Sequence, residues 1–170
     1  MSSAMPTLDE LRDQEARLVL PSLDENDAVA IGMRLLQRAI ERDLPVTIEV
    51  RRASRVVFRA ARNGTNAHND MYVAGKARIV ERFGHATMLE RLRHEADGTT
   101  FAEATSLAFP EWAPHGGGFP LIVTGTGVVG VAIVSGLPQQ DDHALIVEVL
   151  GEYLAAGRNP RATDPTPAGG

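Results

Sequence analysis

Apolar residues along this chain alternate between helical and strand spacing, and the changeovers mark its elements. Ala28, Ile31, Leu35, Leu36, Ala39 and Ile40 recur at three- and four-residue intervals, the stripe of a helix packed on a core. Pro45 stops that helix, which reaches about Asp43. From Val46 to Arg51 the period becomes two. Val46, Ile48 and Val50 point inward and Thr47, Glu49 and Arg51 outward, which predicts a half-buried antiparallel strand. A turn at Ala53 and Ser54 leads into a second strand, Arg55 to Ala61, and Asn63-Gly64 closes the hairpin with turn chemistry.

Helix starts are marked as well. Thr7 with Glu10, and Ser22 with Glu25, have the spacing of a capping box. Asn69 or Asp70 is expected to cap a third helix that buries Tyr72, Ile79, Val80 and Phe83 and ends at Gly84. A shorter helix carries Met88, Leu89 and Leu92 to a break at Asp97-Gly98, and Phe101 to Leu107 adds a turn or two. A second hairpin follows, with strands at 119–124 and 128–135 around Gly125-Thr126-Gly127. Asp141 or Asp142 is expected to cap the last helix, whose stripe is Leu145, Ile146, Val149, Leu150, Tyr153 and Leu154. Two hairpins separated and flanked by helices predict an α+β fold.

At 170 residues and 44% hydrophobic, the chain can bury one core, so residues 1–157 are read as one domain and 158–170, rich in Pro, Gly, Ala and Thr, as a disordered tail. No stretch approaches the roughly 18 apolar residues of a membrane helix, and Asp9, Glu10, Arg12 and Asp13 stand where a secretory signal needs an apolar segment. A cytoplasmic location, with no membrane partner, follows as the default. The absence of cysteine excludes disulfides, thiolate catalysis and Cys-ligated metals.

The net charge of −5 hides an uneven distribution, because Arg51 to His94 holds ten basic and three acidic residues. That window suits an anionic small molecule or a second copy of the chain. Nucleic acid is not an expected partner, given the acidic balance and few interleaved aromatics.

The candidate chemistry centres on His115-Gly116-Gly117-Gly118-Phe119-Pro120. Three residues without Cβ let the main chain lie against a ligand or a sister subunit, beside one imidazole. Gly125-Thr126-Gly127-Val128-Val129-Gly130 fits a dinucleotide fingerprint by letter, but strand-forming residues follow where the pyrophosphate needs a helix start. The His115 run is similar to an esterase oxyanion loop, yet no Gly-x-Ser-x-Gly elbow accompanies it. None of the five histidines forms a pair with helical metal-ligand spacing, so no metal site is assigned; a haem iron needs only one of them.

Three segments together resemble the haem-degrading-domain family, also called GlcG-like or HbpS-like: Arg82-Phe83-Gly84-His85, the His115 to Pro120 run, and Val134 to Gln139 followed by Asp142-His143. The resemblance implies a profilin-like core, an antiparallel five-stranded sheet between helical layers, and homo-oligomers. The leading reading is an oligomeric small-ligand-binding protein whose ligand is haem or a similar anionic planar cofactor. Its expected pocket joins His115, Gly116, Gly117 and Gly118 to His85, Arg82, Asp142 and His143, with His85 or His115 as axial ligand and Arg82 as a propionate partner. The runner-up is a homo-oligomeric scaffold without catalytic activity. A third reading, an enzyme acting on a small carbonyl or hydroxy acid, makes His115 a general base; no catalytic residue is otherwise assigned.

Overall fold

The structure, a computed structural model, describes residues 2–157. The tail expected at 158–170 lies outside the described residues. Helix α1 spans Leu8–Arg17, strand β1 Val19–Leu20, helix α2 Glu25–Glu41, and the hairpin strands β2 and β3 Thr47–Arg52 and Arg55–Ala61. Helices α3 (Ala67–Phe83), α4 (Thr87–Ala96) and α5 (Phe101–Thr105) follow, then strands β4 (Gly118–Val123) and β5 (Gly127–Ser135) and helix α6 (Gln139–Gly157).

The five strands form one sheet in the order β1-β4-β5-β2-β3. Every pair is antiparallel except β1 with β4, where Val19 and Leu20 run parallel to Ile122 and Val123. The α+β class is therefore as expected, with one parallel pair at the edge. Strand β1 is not legible in the sequence, since two residues cannot display a period.

Both faces of the sheet are covered. On one, α2 and α6 pack Ile31, Leu35, Ile146 and Leu150 onto Ile48, Val50, Phe119, Ala132 and Val134. On the other, Val73, Ala77 and Val80 of α3 meet Val131 and Ile133. Each fully buried Leu or Ile contributes about 1.5–3 kcal/mol of transfer free energy. Because α3 lies over the second face, β2 is not half-exposed as its alternation predicts: Thr47 and Glu49 are buried too. Glu49 is paired there by Arg51 at 2.5 Å and by Arg59. Much of the basic window is likewise paired within the chain, through Arg52 with Glu25, Arg59 with Asp70, and Arg62 with Asp43.

Several helix starts differ from the expected ones. Thr7 and Glu10 do form a capping box. Asp24 rather than Ser22 caps α2, exchanging hydrogen bonds of 2.8 and 2.9 Å with Asp27. Asn66 caps α3, three residues before the expected position, and Asn69 serves as its reciprocal partner. A carboxylate or amide one turn either way has the same spacing to a backbone N–H, so sequence spacing alone does not choose between them. Helix α6 starts at Gln139, which places Asp142 inside its first turn. Gly84 ends α3 in a left-handed conformation (φ 71°), as expected of a C-cap glycine. Gly125 and Gly127 lie at the β4–β5 turn, and strand follows them rather than helix.

Candidate functional site

The glycine run enters β4 beneath α3, and its packing partners are this chain's own. Gly117 is buried with φ +118°, and a Cβ there would lie 2.3 Å from Val134 O, 2.7 Å from Lys76 Nζ and 2.9 Å from Asp142 Cβ. A Cβ at Gly116 would lie 2.3 Å from Gln139 O and 2.5 Å from Met88 Cε, and one at Gly118 2.9 Å from Thr87 Cγ2. At Gly117 the close approach foreseen for a guest or sister subunit is thus made from within the chain, by the carbonyl of Val134 and by an internal ion pair. Two backbone donors of the run are also engaged: Gly116 N–H donates to Gln139 Oε1 (3.2 Å) and Gly118 N–H to Thr87 Oγ1 (3.0 Å). Neither of these two donors is therefore free for an oxyanion.

Lys76 projects from α3 and is only 2% exposed. Its Nζ donates to Val134 O (2.9 Å) and to Asp142 Oδ2 (3.2 Å). Asp142 turns back over the start of α6 and also accepts from Gly136 N–H (3.3 Å) and Leu137 N–H (3.0 Å). Burial weakens the ionised form of both groups. It pushes the Asp142 carboxyl up to about 6, against the pull of Lys76 and the two amides, and it lowers the Lys76 ammonium despite Asp142.

The pair borders a cavity of about 320 Å³ whose wall also includes Tyr72, His115, Ser135 and Gln139. The His115 ring stands edge-on to Tyr72 (5.3 Å between centroids) and to Phe109 (5.9 Å). Its Nδ1 is buried with no hydrogen-bond partner. Burial, with Arg91 and Lys76 nearby, lowers its pKa to about 4, so the ring is neutral at pH 7.

The structure separates residues that the sequence reading grouped together. His115, Gly117 and Asp142 converge on the Lys76 cavity. His143, next to Asp142, turns away, its ring tilted against Phe119 (5.9 Å between centroids) with its Nε2 hydrogen-bonded to Gln14 Oε1 (2.7 Å). Burial lowers its pKa to about 4. His85 lies in a different cleft, of about 440 Å³, with Arg12, Glu15, Leu89, Arg93 and Ile122. There Nδ1 donates to Glu15 Oε2 (2.8 Å), while Glu15 Oε1 accepts from Ala86 N–H (2.7 Å). Arg82 borders neither space, its guanidinium lying over Trp112 (5.6 Å) and Phe83 (5.8 Å).

Two residues were missed. Glu15 carries no local signal, because its partner is 70 positions away. Lys76 does carry one: it is the chain's only lysine, beside sixteen arginines.

Comparison with known proteins gives a consistent result. Residues 23–151 match the family described as haem-degrading protein HbpS-like. A UPF0303 protein of Streptomyces coelicolor is 46% identical over 149 residues, covering 88% of this chain and 94% of its own. The crystal structure of the Ybr137w protein superposes with a TM-score of 0.81 at 25% identity, covering 89% and 90% of the two chains. The crystal structure of a PduOC:heme complex shares the fold with a TM-score of 0.65 at 18% identity, covering 76% and 94%.

Proposed function

Because the chain belongs to the family of HbpS-like haem-degrading proteins, we propose that it binds haem, or a similar planar anionic cofactor, with His85 as the axial ligand. The observation that carries this reading is the carboxylate of Glu15 on His85 Nδ1. A metal-ligating imidazole characteristically donates its second nitrogen to such a group, which fixes the tautomer and leaves the Nε2 lone pair for the metal. The ring is 42% exposed on the wall of its cleft, where iron can reach it.

The surrounding residues fit the same ligand. Leu89 and Ile122 supply apolar surface, and the guanidiniums of Arg12 and Arg93 supply cations for carboxylates. Both cations carry intramolecular partners, Asp9 at 3.4 Å and Glu90 at 2.9 Å, so a ligand carboxylate would compete with side chains already in place. Haem bound here would supply redox chemistry at its iron; the chain's part would be to hold the iron with the oriented His85 imidazole and to neutralise the propionates. That a protein of the same fold was solved as a heme complex supports the reading.

Haemin titration followed at the Soret band tests it. One haemin per chain is expected, retained in His115→Ala and lost in His85→Ala. No spectral change in the wild type, or loss only in His115→Ala, overturns it.

Self-association is a second reading, favoured by a specific observation. Val29, Met33 and Ile40 on the outer side of α2 are 39%, 53% and 51% exposed, an apolar line suited to a second copy. Light scattering on wild type and Met33→Glu, Ile40→Glu should show an oligomer in the first and a smaller species in the second. A monomeric wild type overturns this reading.

A further inference from the structure

The Lys76 cavity is a second site, separate from the His85 cleft, and its chemistry differs. We propose that Lys76 is a carbonyl-reactive amine that forms an imine with a small aldehyde or ketone entering the cavity beside Tyr72, His115 and Asp142.

The residue choice is the first argument. Elsewhere the chain meets its need for cations with arginine, sixteen times. Arginine stays protonated at any physiological pH and is not a nucleophile, whereas a desolvated lysine can be both neutral and nucleophilic. The one lysine is buried against a cavity instead of lying on the surface where lysines normally reside.

Geometry is the second. Val134 O and Asp142 Oδ2 take two of the positions around Nζ; the third has no hydrogen-bond partner among the described residues. At about 320 Å³ the space is at the small end of ligand pockets. A plain structural ion pair does not require the adjoining cavity, which both Lys76 and Asp142 line.

The residues present also balance the reaction. Asp142 takes a proton from the ammonium, leaving a neutral amine. The nitrogen lone pair attacks the carbonyl carbon, a C–N bond forms, and the carbonyl oxygen becomes the carbinolamine hydroxyl by a proton passed from nitrogen. Protonation of that hydroxyl by Asp142 releases it as water, leaving a protonated imine opposite a carboxylate. Neither oxidant nor reductant is consumed. Neutral His115 on the same wall can relay a proton.

Acetaldehyde with sodium cyanoborohydride is the probe, read by intact mass and peptide mapping. A single lysine leaves only the terminal amine as a competing target. Reductive alkylation of Lys76 is expected at least tenfold faster in the native chain than in the same chain unfolded in urea. Asp142→Asn should slow the native reaction, and Lys76→Arg, which keeps a cation beside Asp142, should abolish that adduct. Native labelling slower than in urea, or confined to the terminal amine, overturns the proposal, and neither outcome bears on haem binding at His85.

Discussion

Lys76 Nζ lies 3.2 Å from Asp142 Oδ2, and the absence of a side chain at Gly117 is what leaves room for them to meet. The pair joins two elements 66 residues apart, α3 and α6, across the end of β5. Burying it costs solvation that its mutual attraction must offset, so removing either partner is more damaging than the net worth of the pair.

Gly117→Ala should destabilise the fold by about 2–4 kcal/mol, combining strain at φ +118° with the intrusion of a methyl group on the Val134 carbonyl first, and on Lys76 and Asp142 beside it. Gly98→Ala is the control: its φ is +75°, but nothing lies within 4 Å. It should cost about 1 kcal/mol. Urea unfolding of both variants checks the comparison, and equal losses would mean that the close approach carries no energy.

Asp142→Asn should cost about 3 kcal/mol, since Lys76 is left buried without its counter-charge. In a Lys76→Met background the same substitution should cost at least about 1 kcal/mol less, the coupling expected of residues in contact. A double-mutant cycle by chemical denaturation measures it; additivity would contradict the pairing.

His143 should make the fold acid-sensitive. Its folded pKa of about 4 lies below the ordinary imidazole value of 6.5, so the unfolded chain binds the proton more readily. Its contribution is whole above about pH 6.5 and is lost as pH falls towards 4, up to about 3 kcal/mol at 1.36 kcal/mol per unit. Asp142 works in the opposite direction: its raised pKa makes its ionisation a cost that grows between about pH 4 and 6. The test is therefore a difference, with wild type losing more stability than His143→Gln between pH 7 and 5.

Glu15→Gln keeps an oxygen for Ala86 N–H but removes the carboxylate from His85. Haemin affinity should fall about tenfold, the lower end for loss of such a partner, while the melting temperature changes little. Unchanged affinity would separate Glu15 from the ligand.

The elements were legible in the sequence wherever the determining contacts are local. The stripe of α2, the Thr7–Glu10 box, the Gly84 stop and both hairpins rest on neighbours within a few positions, and they stand as read. The caps of α2 and α3 were misplaced by two or three residues because several polar side chains there satisfy the same spacing. Alternation in β2 marked a strand but could not reveal that α3 covers its second face and buries Glu49. The site was legible only in part. His115 and the glycines were visible as an unusual run, Asp142 entered the expected pocket only through the family resemblance, and the single lysine was there to be noticed. What tertiary structure alone decided is how these residues are grouped. Chain crossings bring Lys76 to Asp142 and Glu15 to His85, while adjacency on one helix sends His143 away from Asp142. Local spacing sets which way a backbone turns; which distant side chains then share a cavity depends on how the faces pack, and no short window of sequence contains that information.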